Sequence, residues 1–136
     1  ACRTGAADAA IDDMTHLIAE ARHEQIGPMM RRLQAQGVTA VSLIIGATRQ
    51  FRALHAAASH PEGAAAGAAR LRPPVFGPRR DRLVRQAQNW GVSRLEDALV
   101  LLTDTDLQLR VAGQTAPALA LVERVFIRLA MMGAAR

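Results

Sequence analysis

Apolar side chains recur at intervals of three and four residues along most of this chain, and this spacing is the strongest constraint on its fold. The clearest stripe consists of Val41, Ile44, Ile45, Thr48, Phe51, Leu54 and His55. Such spacing places apolar side chains on one face of an α-helix, whereas a half-buried strand would show strict alternation. The sequence therefore predicts an all-α bundle of about six or seven helices, with residues 1–136 forming a single domain.

Capping residues and helix breakers predict where the helices begin and end. We expect residues 1–9 to be frayed, and we expect longer helices from about residue 11 and over about 24–36, 40–59, 78–90, 94–112 and 117–132. Thr39 is a good N-cap for the third of these helices. Ser93, with Glu96 three residues later, is typical of a capping box after a short break at residues 89–93.

The few large aromatic residues and the most apolar helix predict the core. We expect Trp90, Phe51 and Phe126 to be structural core residues, with Trp90 as an anchor where one helix ends and the next begins. The helix over 94–112 carries apolar residues on two faces, and Val100 and Leu107 belong to the second face. This pattern predicts a helix that is buried from two sides.

Asp106 lies on the apolar side of that helix, where an unpaired carboxylate would be costly. Arg110 follows one helical turn later and can pair with it. We interpret the two residues as a half-buried structural ion pair, and a role at a subunit interface is the alternative.

Positive charge is concentrated in one segment of the chain. The formal net charge is +5, and residues 70–85 contain six arginines against one acid, Asp81. This basic segment suits an anionic partner, although an arginine run can also be a solvated face. Phe76 lies within it and could stack on an unpaired base, or could instead tuck the loop onto the bundle. The candidate DNA contacts are Phe76, Arg72, Arg79, Arg80 and Arg82.

Sequence patterns of known catalytic, cofactor and metal sites are absent. His16 and His23 could share a helix face, but neither has a carboxylate or cysteine at metal-ligand spacing. Cys2 is the only cysteine, and no apolar run reaches the roughly 18–20 residues that a membrane span needs. We expect no enzymatic activity, no cofactor, no membrane association and a cytoplasmic location.

Three segments taken in order resemble a known family. They are RPPVF at residues 72–76 with its basic continuation, the helix junction at residues 90–93, and DLQLRVAG at residues 106–113. Their order and spacing, from about Asp12 to Met132, resemble the C-terminal domain of the delta subunit of the bacterial DNA polymerase III clamp loader. Asp106 and Arg110 stand where that family more often has glutamate and lysine, so the signs of the charges are kept.

The resemblance implies a collar domain, which is an all-α oligomerisation module, cut from a longer chain. In that family the collar joins gamma/tau and delta-prime subunits in a ring of five that places the sliding clamp on primed DNA. The clamp-opening surface lies in an N-terminal part that is absent here, so no activity is implied for this fragment of a nucleotidyltransferase complex. Phe76 matches an aromatic position near the template strand, which implies contact with primer–template DNA. The alternative is a stand-alone helical nucleic-acid-binding domain that uses the segment from Arg70 to Arg85.

Overall fold

A computed structural model describes residues 5–112 and 116–135 of the chain. Within these residues the protein forms six α-helices and no strand, which confirms the predicted all-α bundle. The helices are α1 (Gly5–Ala19), α2 (Ile26–Ala35), α3 (Ala40–Ala58), α4 (Ala64–Ala69), α5 (Gly77–Ala112) and α6 (Ala116–Ala134). None of these helices combines the length and the apolarity that a bilayer span requires.

The sequence predicts the start of α3 correctly and the start of α1 incorrectly. The hydroxyl of Thr39 accepts a hydrogen bond of 3.1 Å from the backbone nitrogen of Ser42, so the predicted N-cap of α3 is confirmed. The expected fraying of residues 1–9 is wrong for residues 5–9, because α1 begins at Gly5. The first four residues of the chain lie outside the described part.

The break between the predicted fifth and sixth helices is a sharp kink within α5. Gly91 has φ 77° and ψ 159°, which are non-helical angles in the interior of α5. A positive φ favours glycine because other L-residues are strained there. The prediction that Ser93 caps the next helix is therefore wrong, since the chain is helical again directly after Gly91. We call residues 77–90 the N-terminal arm of α5 and residues 92–112 its C-terminal arm.

The core lies between α3 and α5 and is closed by α1 and α6. Phe51 of α3 meets Trp90 edge to face, with ring centroids 4.9 Å apart, and both residues are buried together with Phe126. The indole nitrogen of Trp90 donates a hydrogen bond of 2.9 Å to the carbonyl of Ala19. Gly133 packs directly against the same indole, so a Cβ atom at this position would lie 2.7 Å from Cζ2 of Trp90.

Arg94 ties the kink in α5 to the end of α6. Its guanidinium donates hydrogen bonds to the carbonyls of Asn89 (2.6 Å) and Trp90 (3.0 Å) at the end of the N-terminal arm. It also donates to the carbonyls of Met132 (2.9 Å) and Ala135. One cation thus satisfies carbonyl groups at two helix ends, where carbonyls lack partners within the helix and a positive charge is favourable.

Candidate functional site

The basic segment forms an exposed loop followed by the first turns of α5. Phe76 is the last residue of the loop, and 75% of its surface is exposed. The ring therefore does not tuck the loop down onto the bundle, which was one of the two interpretations of this residue. Gly77 follows with φ 59° and turns the chain into the helix. An exposed phenylalanine is thus presented at the start of the N-terminal arm.

Several arginines of this segment are free of partners. Among the described residues, no ion pair or hydrogen bond engages the guanidinium groups of Arg70, Arg79, Arg80 and Arg85. Arg72 donates to the neighbouring carbonyl of Leu71 at 2.8 Å. An open groove beside Phe76 is lined by Ala65, Gly77, Arg80, Asp81, Val84 and Arg85. The groove thus presents the guanidinium groups of Arg80 and Arg85 together with the carboxylate of Asp81.

Arg82 differs from its neighbours because its charge is used within the fold. Its Nε lies 2.5 Å from Oε2 of Glu20, and its Nη2 lies 2.9 Å from Oε1 of the same carboxylate. This two-pronged pair joins α5 to the end of α1 and engages two of the three guanidinium nitrogens. Arg82 is therefore the candidate DNA contact whose charge is already paired, whereas Arg72, Arg79 and Arg80 have no carboxylate partner among the described residues.

The Arg82–Glu20 pair belongs to a polar network that connects three helices. Gln86 donates from Nε2 to Oε2 of Glu20 (2.8 Å) and to Nδ1 of His16 (2.9 Å), and its Oε1 accepts from Gln50 of α3 (2.9 Å). This arrangement puts the imidazole proton of neutral His16 on Nε2. The network fixes the N-terminal arm, and with it the basic segment, relative to α1 and α3.

Electrostatics within the network follow from these contacts. The hydrogen bond from Arg82 lowers the pKa of Glu20 to about 2, against the opposing effect of burial and with further help from Gln86. Burial lowers the pKa of His16 below its usual 6.5, and the nearby charge of Arg82 acts in the same direction. Near neutral pH the network therefore contains an ionised glutamate and a neutral histidine.

The outward face of the C-terminal arm carries three apolar side chains that no other described residue covers. Val100, Leu107 and Val111 are 61%, 56% and 90% exposed, whereas Leu102 and Leu109 on the inner face are buried. The prediction that this helix is buried from two sides is therefore wrong for the chain by itself. Positions 100, 107 and 111 share one face of the helix, with Asp104 between Val100 and Leu107, and we call these three apolar residues the apolar stripe.

The predicted ion pair lies on the same arm. Nε of Arg110 is 3.0 Å from Oδ2 of Asp106, one helical turn earlier, and Asp106 is half-buried while Arg110 is exposed. An exposed pair of this kind contributes little to folding stability, typically below about 1 kcal/mol.

The two histidines considered as metal ligands make different contacts. His16 is engaged by Gln86, and His23 is exposed with Nε2 3.4 Å from a carboxylate oxygen of Glu24. Across residues 5–112 and 116–135, no group of three or more histidine, cysteine, aspartate or glutamate side chains is placed to hold a metal ion.

No family model, no curated protein and no solved structure matches this chain. Its functional interpretation therefore depends on its own residues and their geometry. Glu20, Gln86 and Gln50 were not predicted from the sequence, because none of them belongs to a recognisable local pattern. The only signal was that Gln86 lies at helical spacing among the apolar residues Leu83, Ala87 and Trp90.

Proposed function

We propose that this chain is a non-catalytic oligomerisation domain, the collar domain of a clamp-loader delta subunit. The observation that carries this proposal is the exposed apolar stripe of Val100, Leu107 and Val111. It agrees with the ordered segments that resemble that family and with the all-α fold.

The stripe supports lateral packing against another protein. Each of its side chains gains roughly 1.5–3 kcal/mol when it moves fully from water into an apolar contact. The inner face of the same arm is already packed by Leu95, Leu102 and Leu109, so the arm is a two-faced helix with one face unused. In a ring, the unused face meets the neighbouring subunit, and the partners implied are the gamma/tau and delta-prime subunits.

The test is assembly with those subunits. The chain is mixed with full-length gamma/tau and delta-prime proteins, and size-exclusion chromatography with light scattering measures the mass of the product. We expect one complex of defined mass, and we expect Leu107→Gln to weaken it. Met131→Gln is the matched control, because Met131 is 58% exposed but lies on α6, away from the stripe. Absence of any complex, or equal loss with both variants, contradicts the collar proposal.

A second function is favoured by a different observation. Phe76 is exposed next to the unpaired guanidinium groups of Arg79 and Arg80, which suits single-stranded nucleic acid bound by stacking and phosphate contacts. The chain would then bind DNA whether or not it enters a ring.

Fluorescence anisotropy with a single-stranded oligonucleotide tests this second function. We expect Phe76→Ala to cost about 1–3 kcal/mol of binding free energy, and Arg79→Ala to reduce the salt dependence by about one phosphate contact. Arg124→Ala is the control, since Arg124 is an exposed arginine of α6. Binding that survives Phe76→Ala and Arg79→Ala unchanged excludes the basic segment. DNA binding without ring assembly would favour the stand-alone domain.

A further inference from the structure

The exposed face of α3 carries an apolar residue followed by two unpaired cations. Its exposed positions repeat at helical spacing, and the residues are Ile45, Arg49, Arg52 and Ala56. Arg49 and Arg52 form no side-chain ion pair or hydrogen bond with any described residue. We call these four residues the basic face.

The exposed face of the C-terminal arm of α5 has the opposite charge. It extends the apolar stripe with two carboxylates at the same helical spacing, giving Asp97, Val100, Asp104, Leu107 and Val111. Asp97 and Asp104 have no partner among the described side chains, while the nearby charge of Arg110 is already paired with Asp106. We call these five residues the acidic face.

The two faces match when one helix is laid antiparallel to the other. With a rise of about 1.5 Å per residue, Arg49 lies about 6 Å beyond Ile45, and Asp104 lies about 4.5 Å before Leu107. If Ile45 is placed against Leu107, Arg49 therefore comes opposite Asp104. The next turn brings Arg52 level with Val100, about 4.5 Å along the helix axis from Asp97 and within reach of its carboxylate. Apolar contact and charge pairing are thus satisfied in the same register.

The two faces do not satisfy each other within one chain, since both are exposed and their charges are unpaired. We propose that a second copy of this chain supplies the partner, with the basic face of one copy docked on the acidic face of the other. This inference goes beyond the proposed function, because it requires no other clamp-loader subunit. The proposed contact joins two different surfaces of the same protein, so each copy carries one basic face and one acidic face.

Charge reversal followed by mixing tests the pairing. Sedimentation of the chain alone, over a range of concentrations and at low and high salt, should show self-association that salt weakens. Asp97→Arg with Asp104→Arg, and separately Arg49→Asp with Arg52→Asp, should each weaken it at least about tenfold. An equimolar mixture of the two doubly substituted proteins should associate again, because every contact between them then joins opposite charges.

Controls keep these outcomes decisive. Arg124→Asp with Arg128→Asp reverses two exposed charges of α6 and should leave association unchanged. Circular dichroism confirms that each variant is folded, and all substituted positions are exposed. A wild-type chain that stays monomeric at every concentration overturns the proposal, and so does association that fails to recover in the mixture. A monomeric chain captured by gamma/tau or delta-prime through Leu107 would also overturn it, while leaving the collar proposal supported.

Discussion

The two arms of α5 are continuous in the chain but are held in place by different sets of contacts. The N-terminal arm buries Leu83, Ala87 and Trp90 and is held in addition by directional polar contacts, in which Arg82 and Gln86 reach His16 of α1 and Glu20 just after it. The C-terminal arm is fixed by apolar packing of residues such as Leu102 and Leu109. Gly91 and Trp90 lie at the junction between these two regimes.

Their outward faces differ in the same way. The N-terminal arm presents charge that its inner contacts do not use, and the C-terminal arm presents apolar surface that its core does not use. The outward face of the C-terminal arm also carries the carboxylates of Asp97 and Asp104 between its apolar residues. The comparison shows that residue type alone does not separate structural from available groups, because Arg82 and Arg79 differ only in whether a partner lies within reach.

The junction should be the most sensitive place in the molecule. Trp90→Ala removes the indole that contacts Phe51 and Gly133 and should lower the free energy of unfolding by about 3–5 kcal/mol. Urea unfolding followed by circular dichroism measures the loss. Phe76→Ala, which removes an exposed aromatic residue, should change stability by less than about 0.5 kcal/mol. A small loss for Trp90→Ala would show that the arms are not anchored at their junction.

Glu20→Gln tests the polar contacts of the N-terminal arm separately, because it removes the charge that pairs with Arg82. We expect a loss of about 1–2 kcal/mol near neutral pH, because Arg82 loses its charged partner and the pair is partly screened by solvent. The pKa of Glu20 falls from its usual 4.5 to about 2 on folding, so its stabilisation is present above pH 4.5. That stabilisation is lost as the pH falls towards 2.

The difference in unfolding free energy between wild type and Glu20→Gln should therefore shrink over this acid range. Urea titrations at a series of pH values measure it. Glu62→Gln serves as the control, since the Glu62 carboxylate is exposed and unpaired within the described residues. A difference that stays constant with pH would contradict the ionised pair.

The kink itself can be tested with Gly91→Ala. An added Cβ would meet no atom within 4 Å, so the expected loss comes from backbone strain at φ 77° and ψ 159° alone and amounts to about 1–3 kcal/mol. Gly27→Ala in α2 is the matched control, because Gly27 has ordinary space around it and no positive φ. Thermal unfolding of both variants measures the difference. Equal stability would mean that the two arms need no special residue between them.

The apolar stripe should have the smallest effect on folding. Leu107→Gln should change the free energy of unfolding by no more than about 0.5 kcal/mol, because its side chain is mostly in water. Leu109→Ala, two residues away on the inner face, should cost about 2–5 kcal/mol. Denaturant unfolding of both variants gives the comparison, and a large loss for Leu107→Gln would mean that the outward face is not free.

The helices were predictable from sequence because their determinants are local. The spacing of apolar residues in α3 and the hydroxyl of Thr39 act within one or two turns, so both were visible in the printed sequence. The junction was harder, because Gly91 and Ser93 are both plausible helix boundaries. The choice between them depends on the backbone angles of Gly91, which the arrangement of the two arms imposes.

The candidate site was predictable only in part, because its essential contacts are distant in sequence. In the sequence, nothing separates Arg82 from the neighbouring arginines. Only the fold shows that its Nε lies 2.5 Å from Oε2 of Glu20, 62 positions earlier in the chain. Likewise, Val100 and Leu107 have the spacing of a buried face, but the amount of protein available to cover them is a property of the whole fold. A local sequence pattern predicts which face of a helix a side chain lies on, but it does not predict which residue of another helix that side chain contacts.

The contact between Gly133 and Trp90 has a consequence for the evolution of this chain. A rigid indole leaves no room for even a methyl group at position 133, and the indole cannot withdraw while Phe51 and the carbonyl of Ala19 hold it. The two positions should therefore covary. Descendants or relatives with alanine or serine at position 133 should carry a smaller side chain at position 90, and an exchange of size should appear across this pair.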